Sequence, residues 1–114
     1  MLMIFMTAIL SLLFIRQDVC EAEHAYNHPV EFAMPDTATV EDLVLFLADY
    51  REPQYRALPV AGGTWWHLSY DEGTLARVCT DPLQISYANI DQHTPLKELR
   101  ITRIYAVPAE QPAQ

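Results

Sequence analysis

The chain is short of positive charge. Seven Lys and Arg stand against 15 Asp and Glu over 114 residues, giving a net charge of −8. Holding nucleic acid or an anionic membrane by charge needs clustered Lys and Arg, so both are disfavoured. The acids are scattered rather than run together, which argues for simple solubility and against an acidic mimic of nucleic acid. Glycine is scarce as well, at three residues. No phosphate-cradling or dinucleotide-binding loop is present, because Ala61-Gly62-Gly63-Thr64 lacks the lysine and the spacing and reads as a turn. The two cysteines, Cys20 and Cys79, form no CxxC pair. Each reads as a buried apolar residue or, in an exported protein, as half of a disulfide. No apolar run reaches the roughly 20 residues that a membrane-spanning helix needs. Repeats, low-complexity segments and a nucleophile-elbow glycine pattern are also missing.

What is there is globular: 51% hydrophobic and 19% charged residues, enough for one domain with a modest core of its own. The clearest element is Thr39–Tyr50, TVEDLVLFLADY. Val40, Leu43, Val44, Leu47 and Tyr50 recur at helical spacing, and Phe46 widens the stripe. Glu41, Ala48 and Asp49 fall on the other side. Thr39 is the expected N-cap, with Glu41 and Asp42 where the helix dipole favours acids. Pro53 limits continuation. Leu45 breaks the pattern by projecting from the polar face, either as a lone exposed leucine or as an anchor for a partner.

Residues 1–15, MLMIFMTAILSLLFI, are apolar apart from Thr7 and Ser11. Two readings compete. One is a buried strand over Leu10–Cys20. The other is a signal segment, for which Cys20-Glu21-Ala22 vaguely resembles a cleavage site. No Lys or Arg precedes the run, as a signal would require, so the first reading, with a cytoplasmic protein, is preferred and export is the alternative.

Beyond a loop at 21–29, alternation marks a strand over Val30–Met34, with Val30, Phe32 and Met34 on one side. A short strand is expected around Leu58–Ala61. Trp65–Tyr70 and Thr74–Thr80 read as a hairpin closed by the three-residue turn Asp71-Glu72-Gly73, with Gly73 at a positive φ. Leu83–Tyr87 is a further strand, Thr94–Leu99 one helical turn opening on Pro95, and Ile101–Val107 the closing strand. The domain thus covers residues 1–107, and 108–114 is a frayed tail. Strands around one main helix imply an α+β fold, a mixed sheet covered on one face and carrying an added hairpin.

This order resembles the ubiquitin-like β-grasp fold. The stretch PDTATVEDLVLFL is similar to the turn into the helix of that fold. LQISYANIDQHTPLKELRITRIYAV is similar to its strand, short helical turn and last strand. The chain ends in PAEQPAQ rather than Gly-Gly, so the resemblance does not extend to conjugation or sulfur-carrier chemistry. It implies a small protein-binding or scaffold module.

Three sets of residues qualify as sites. On Trp65–Tyr70, alternation sends Trp66, Leu68 and Tyr70 to the core and Trp65, His67 and Ser69 the other way. Trp65 and His67, joined by Arg77 across the hairpin, form a candidate protein-binding patch, since exposed Trp and Arg dominate interface energetics; alternatively a helix or the N-terminal segment covers this face too and Trp65 is core. Leu45 on the acidic helix face is a second. His24 and His28, at i and i+4 and accompanied by Glu21 and Glu23, are metal-ligand types; Tyr-Asn-His-Pro reads as a loop and the set as solvated, the alternative being an exported small protein that binds a metal or ligand through this loop. Ser69, His67 and Asp71 are neighbours along one strand and form no triad. Tyr87, Tyr105 and Trp66 would line the wall of a ligand-binding or enzymatic cup if they faced one another. The favoured reading is a non-catalytic module that needs no cofactor and binds a protein, with its oligomeric state unspecified.

Overall fold

The computed structural model describes residues 8–17, 29–53, 55–59, 65–80 and 82–109. They form strands β1 (Ile9–Arg16) and β2 (Val30–Pro35), helix α1 (Val40–Asp49) and the short strands β3 (Arg51–Glu52) and β4 (Tyr55–Arg56). Strands β5 (Trp65–Tyr70), β6 (Gly73–Thr80) and β7 (Leu83–Tyr87), helix α2 (Leu96–Leu99) and strand β8 (Arg103–Ala109) follow. Six strands make one mixed sheet in the order β2-β1-β8-β5-β6-β7, while β3 and β4 form a separate small hairpin. β1 and β8 run parallel, and every other pair in the sheet is antiparallel. The fold is α+β, as the element order implied.

β1 is a strand, so the apolar run does enter the fold over Ile9–Arg16. Its even residues, Leu12 and Phe14, are buried under the helix. They meet Val30 and Met34 of β2, Leu68 of β5, Val78 of β6 and Ile104 and Ala106 of β8 in one core with Val40, Leu43, Val44 and Leu47 of α1. Burying each such side chain contributes roughly 1.5–3 kcal/mol. Ala48 belongs to this buried set, contrary to its expected polar-side position, because the apolar stripe of α1 is wide enough to take it in. Leu45 is 41% exposed, as its position on the helix indicated.

All four leading N–H groups of α1 are satisfied. Thr39 N–H donates to Asp42 Oδ2 at 2.9 Å and Asp42 N–H to Thr39 Oγ1 at 3.2 Å, a reciprocal capping box. The N–H groups of Val40 and Glu41 donate to the carbonyls of Thr94 and Gln92 at 3.0 and 2.9 Å. The segment before α2 therefore seals the helix start and leaves none of these donors for an anion.

Several boundaries differ from expectation. The β5–β6 turn is Asp71-Glu72 alone: Gly73 pairs with Tyr70 inside the ladder, and a bulge one step on absorbs the extra residue. That bulge lets Leu75 and Ala76, consecutive on β6, both turn into the core. Leu58 is fully buried but lies outside any strand. The short pairing comes earlier, at Arg51–Glu52 with Tyr55–Arg56. β8 begins later than expected and includes Pro108, which pairs with Trp66. Proline is tolerated there because the register with β1 ends at Ala106, so no ladder needs its missing N–H on that side. Arg100, which ends α2, carries the left-handed conformation (φ 55°) that glycine usually supplies.

Candidate functional site

The helices and the β3–β4 hairpin pack on one side of the sheet, through Val40, Leu43, Leu96 and Tyr55 in the core. No described element covers the other side. An antiparallel-type sheet with one solvated face normally alternates apolar-in and polar-out. This one does not. The odd residues of β1 include Leu13 and Ile15, those of β8 Tyr105 and Val107, and β5 adds Trp65; all five are half-buried rather than polar.

The registers set these side chains in rows. Val107, His67, Arg77 and Ser86 lie opposite one another across β8, β5, β6 and β7. The next row is Ile15, Tyr105, Ser69 and Thr74. Directly opposed side chains stand about 4.5–5.5 Å apart at Cβ, so each row is continuous. His67 Nε2 and Thr74 Oγ1 are 3.4 Å apart, and the Tyr105 hydroxyl donates to Asp71 Oδ1 at 3.2 Å. Trp65, His67 and Arg77 are thus brought onto one face, as their alternation predicted. His67, Thr74, Arg77, Ser86, Tyr87 and Ala88 line a shallow depression beside them.

Charge is distributed unevenly. β1, β5, β6, β7 and β8 contain no Asp or Glu, although the chain has 15. Glu31 on β2 is the one strand carboxylate next to the uncovered face, where it sits in register with Leu13 and, beyond that, Arg103. The face is therefore apolar and aromatic with Arg77, Arg103 and His67 set into it, in a molecule that is otherwise acidic.

Leu45 belongs to a different place. It lines a shallow depression with Phe46 and Asp49 of α1, the C-cap Tyr50 and Arg51 of β3, on the covered side of the sheet, so the two candidate surfaces do not combine. Beneath it runs an aromatic chain. Phe32 stacks on Phe46 at 4.8 Å between ring centroids, Phe46 meets Tyr50 at 5.6 Å, and Tyr50 meets Tyr55 edge-on at 6.4 Å. Arg16 ends that chain, 5.2 Å over the Tyr55 ring and 5.9 Å over that of Trp66, with Nη1 donating to the Arg56 carbonyl at 2.7 Å. Burial raises the Tyr50 hydroxyl pKa above the usual 10.0, and Glu52 adds to it by charge and hydrogen bonding. Tyr87 is raised by burial and then by the charge of Glu41.

The cup does not form. Trp66 is 3% exposed with Nε1 donating to the Pro59 carbonyl at 3.1 Å, whereas Tyr105 lies on the opposite face of the sheet. His24, His28, Glu21, Glu23 and Cys20 lie outside the described residues, as do 1–7 and 110–114. Cys79 is a buried free thiol. Among the described residues no three His, Cys, Asp or Glu gather as a metal site, and no helix is long and apolar enough to cross a membrane. Sequence reasoning found the β5–β6 part of the uncovered face and missed Leu13, Ile15, Tyr105 and Val107. Their alternation was visible, but which strand lies beside which was not.

The chain matches no family model, no curated protein and no solved structure.

Proposed function

We propose that the protein is a non-catalytic, protein-binding module of β-grasp type that docks its partner on the uncovered face of the sheet. The fold assignment is supported by a β1–β2 hairpin, one main helix on one face and a last strand returning beside the first. The observation that carries the function is the composition of the face. Leu13, Ile15, Trp65, Tyr105 and Val107 are held half-buried around Arg77 and His67, on four strands free of carboxylates. Aromatic, aliphatic and Arg side chains together, with Asp and Glu depleted, are what the centres of protein interfaces contain. The partner surface that complements it is apolar with carboxylates at its rim, which also speeds encounter with Arg77 and Arg103.

The test is affinity capture with the wild-type protein against Trp65→Ala and Arg77→Glu, each first shown to be folded by circular dichroism. Partners held by this face are lost from both variants and kept by Leu45→Ser. A partner captured equally by all four proteins would mean that the face is not the docking surface.

A further inference from the structure

Among the described residues the sheet has two edges, β2 and β7. A strand edge presents unpaired N–H and C=O groups, and natural sheets discourage pairing there with charge and proline. β2 carries both, as Glu31 and Pro35. β7 carries neither: its sequence is LQISY, and Leu83 is 50% exposed while Gln84 and Ser86 are exposed. We propose that β7 is the site at which a second copy of this chain adds, antiparallel and edge to edge, extending the sheet across a two-fold axis at Ile85.

The strand is self-complementary about that axis. Ile85 faces Ile85 of the other copy, Leu83 faces Tyr87, and Gln84 faces Ser86. Leu83, Ile85 and Tyr87 already continue the core-side row through their partners Thr80, Val78 and Ala76 on β6. The added strand prolongs that apolar row and covers Leu83. On the other side the Gln84 amide and the Ser86 hydroxyl are donor and acceptor for each other. No charge opposes its own kind, which is the condition for two molecules of net charge −8 to approach. Glu41, whose charge reaches Tyr87, falls at opposite ends of the paired strands. Five residues of edge bury little area, so the dimer is weak and fast-exchanging. Edge pairing leaves the uncovered face open on both copies and so doubles it, a gain in avidity for a multivalent partner.

Sedimentation velocity over a concentration series tests this. The wild type should pass from monomer to dimer with a Kd on the order of 0.1 mM, and added salt should tighten the dimer by screening the like net charges. Gln84→Lys/Ser86→Lys and Gln84→Glu/Ser86→Glu set like charges opposite one another, so each should stay monomeric while keeping the wild-type melting temperature. Mixing the two should restore a dimer, because the lysines of one variant then face the glutamates of the other. Amide exchange at Leu83, Ile85 and Tyr87, whose N–H groups point away from β6, should slow at high wild-type concentration, a readout that needs no variant. A wild type monomeric up to about 1 mM, a lysine variant that still dimerises, or a mixture that stays monomeric would each overturn the proposal.

Discussion

Trp65 and Trp66 are adjacent in the chain and face opposite sides of the sheet, so replacing each by alanine isolates the state of each face. Trp66 is 3% exposed and its Nε1 holds the Pro59 carbonyl at 3.1 Å. Removing a buried aromatic side chain of this kind costs about 3–5 kcal/mol. Trp65 is half-buried with nothing described above it, so its loss should cost about 1 kcal/mol. At about 4 °C per kcal/mol for a domain of this length, Trp66→Ala should lower the melting temperature by about 12–20 °C and Trp65→Ala by about 4 °C. Total stability in a domain this size is about 5–15 kcal/mol, so Trp66→Phe serves as the milder variant where the alanine protein does not fold. Thermal unfolding followed by circular dichroism gives both values. Fluorescence adds an independent check: in Trp66→Phe the remaining indole should be quenched readily by acrylamide, and in Trp65→Phe it should be protected. Equal destabilisation by the two alanine variants, or equal quenching, would mean that Trp65 is covered. The face would then be core, and the docking proposal would lose its foundation.

Thr39→Ala removes the acceptor for the Asp42 N–H and should cost about 1 kcal/mol; a double-mutant cycle with Asp42→Ala should show the two losses to be coupled, since each residue caps the other's backbone. Arg100→Gly relieves a left-handed backbone at φ 55° and should stabilise by about 0.5–1 kcal/mol after the added freedom of the unfolded chain is counted, read as a raised urea midpoint. Stability should also fall in alkali. Tyr50 and Tyr87 titrate above 10.0 when folded, so below that value both states hold the proton and there is no effect. From pH 10 upward the unfolded chain loses it first, and stability declines until the folded groups ionise as well. Glu41→Gln should lower the Tyr87 titration, followed by phenolate absorbance, and leave that of Tyr50 in place.

Much of this architecture is local in origin and could be read from the order of residues alone. The spacing of Val40, Leu43, Val44 and Leu47 sets the helix face, Thr39 its start, and alternation at Val30, Phe32 and Met34 or at Trp66, Leu68 and Tyr70 the inward side of each strand. Such periodicities follow from backbone geometry, which repeats within a few residues. The exposed Leu45 and the split between Trp65 and Trp66 come from the same source. The remaining features arise only when the strands assemble. Inserting β8 between β1 and β5 is a long-range choice, and it alone joins Leu13 and Ile15 from one end of the chain to Tyr105 and Val107 from the other. The bulge that turns both Leu75 and Ala76 inward, the end of the β1 ladder that makes room for Pro108, and the exposure of β7 as an edge depend likewise on which strands become neighbours. Strand order is fixed by the burial of whole faces, an energy summed over the assembled core, and no single segment carries that sum.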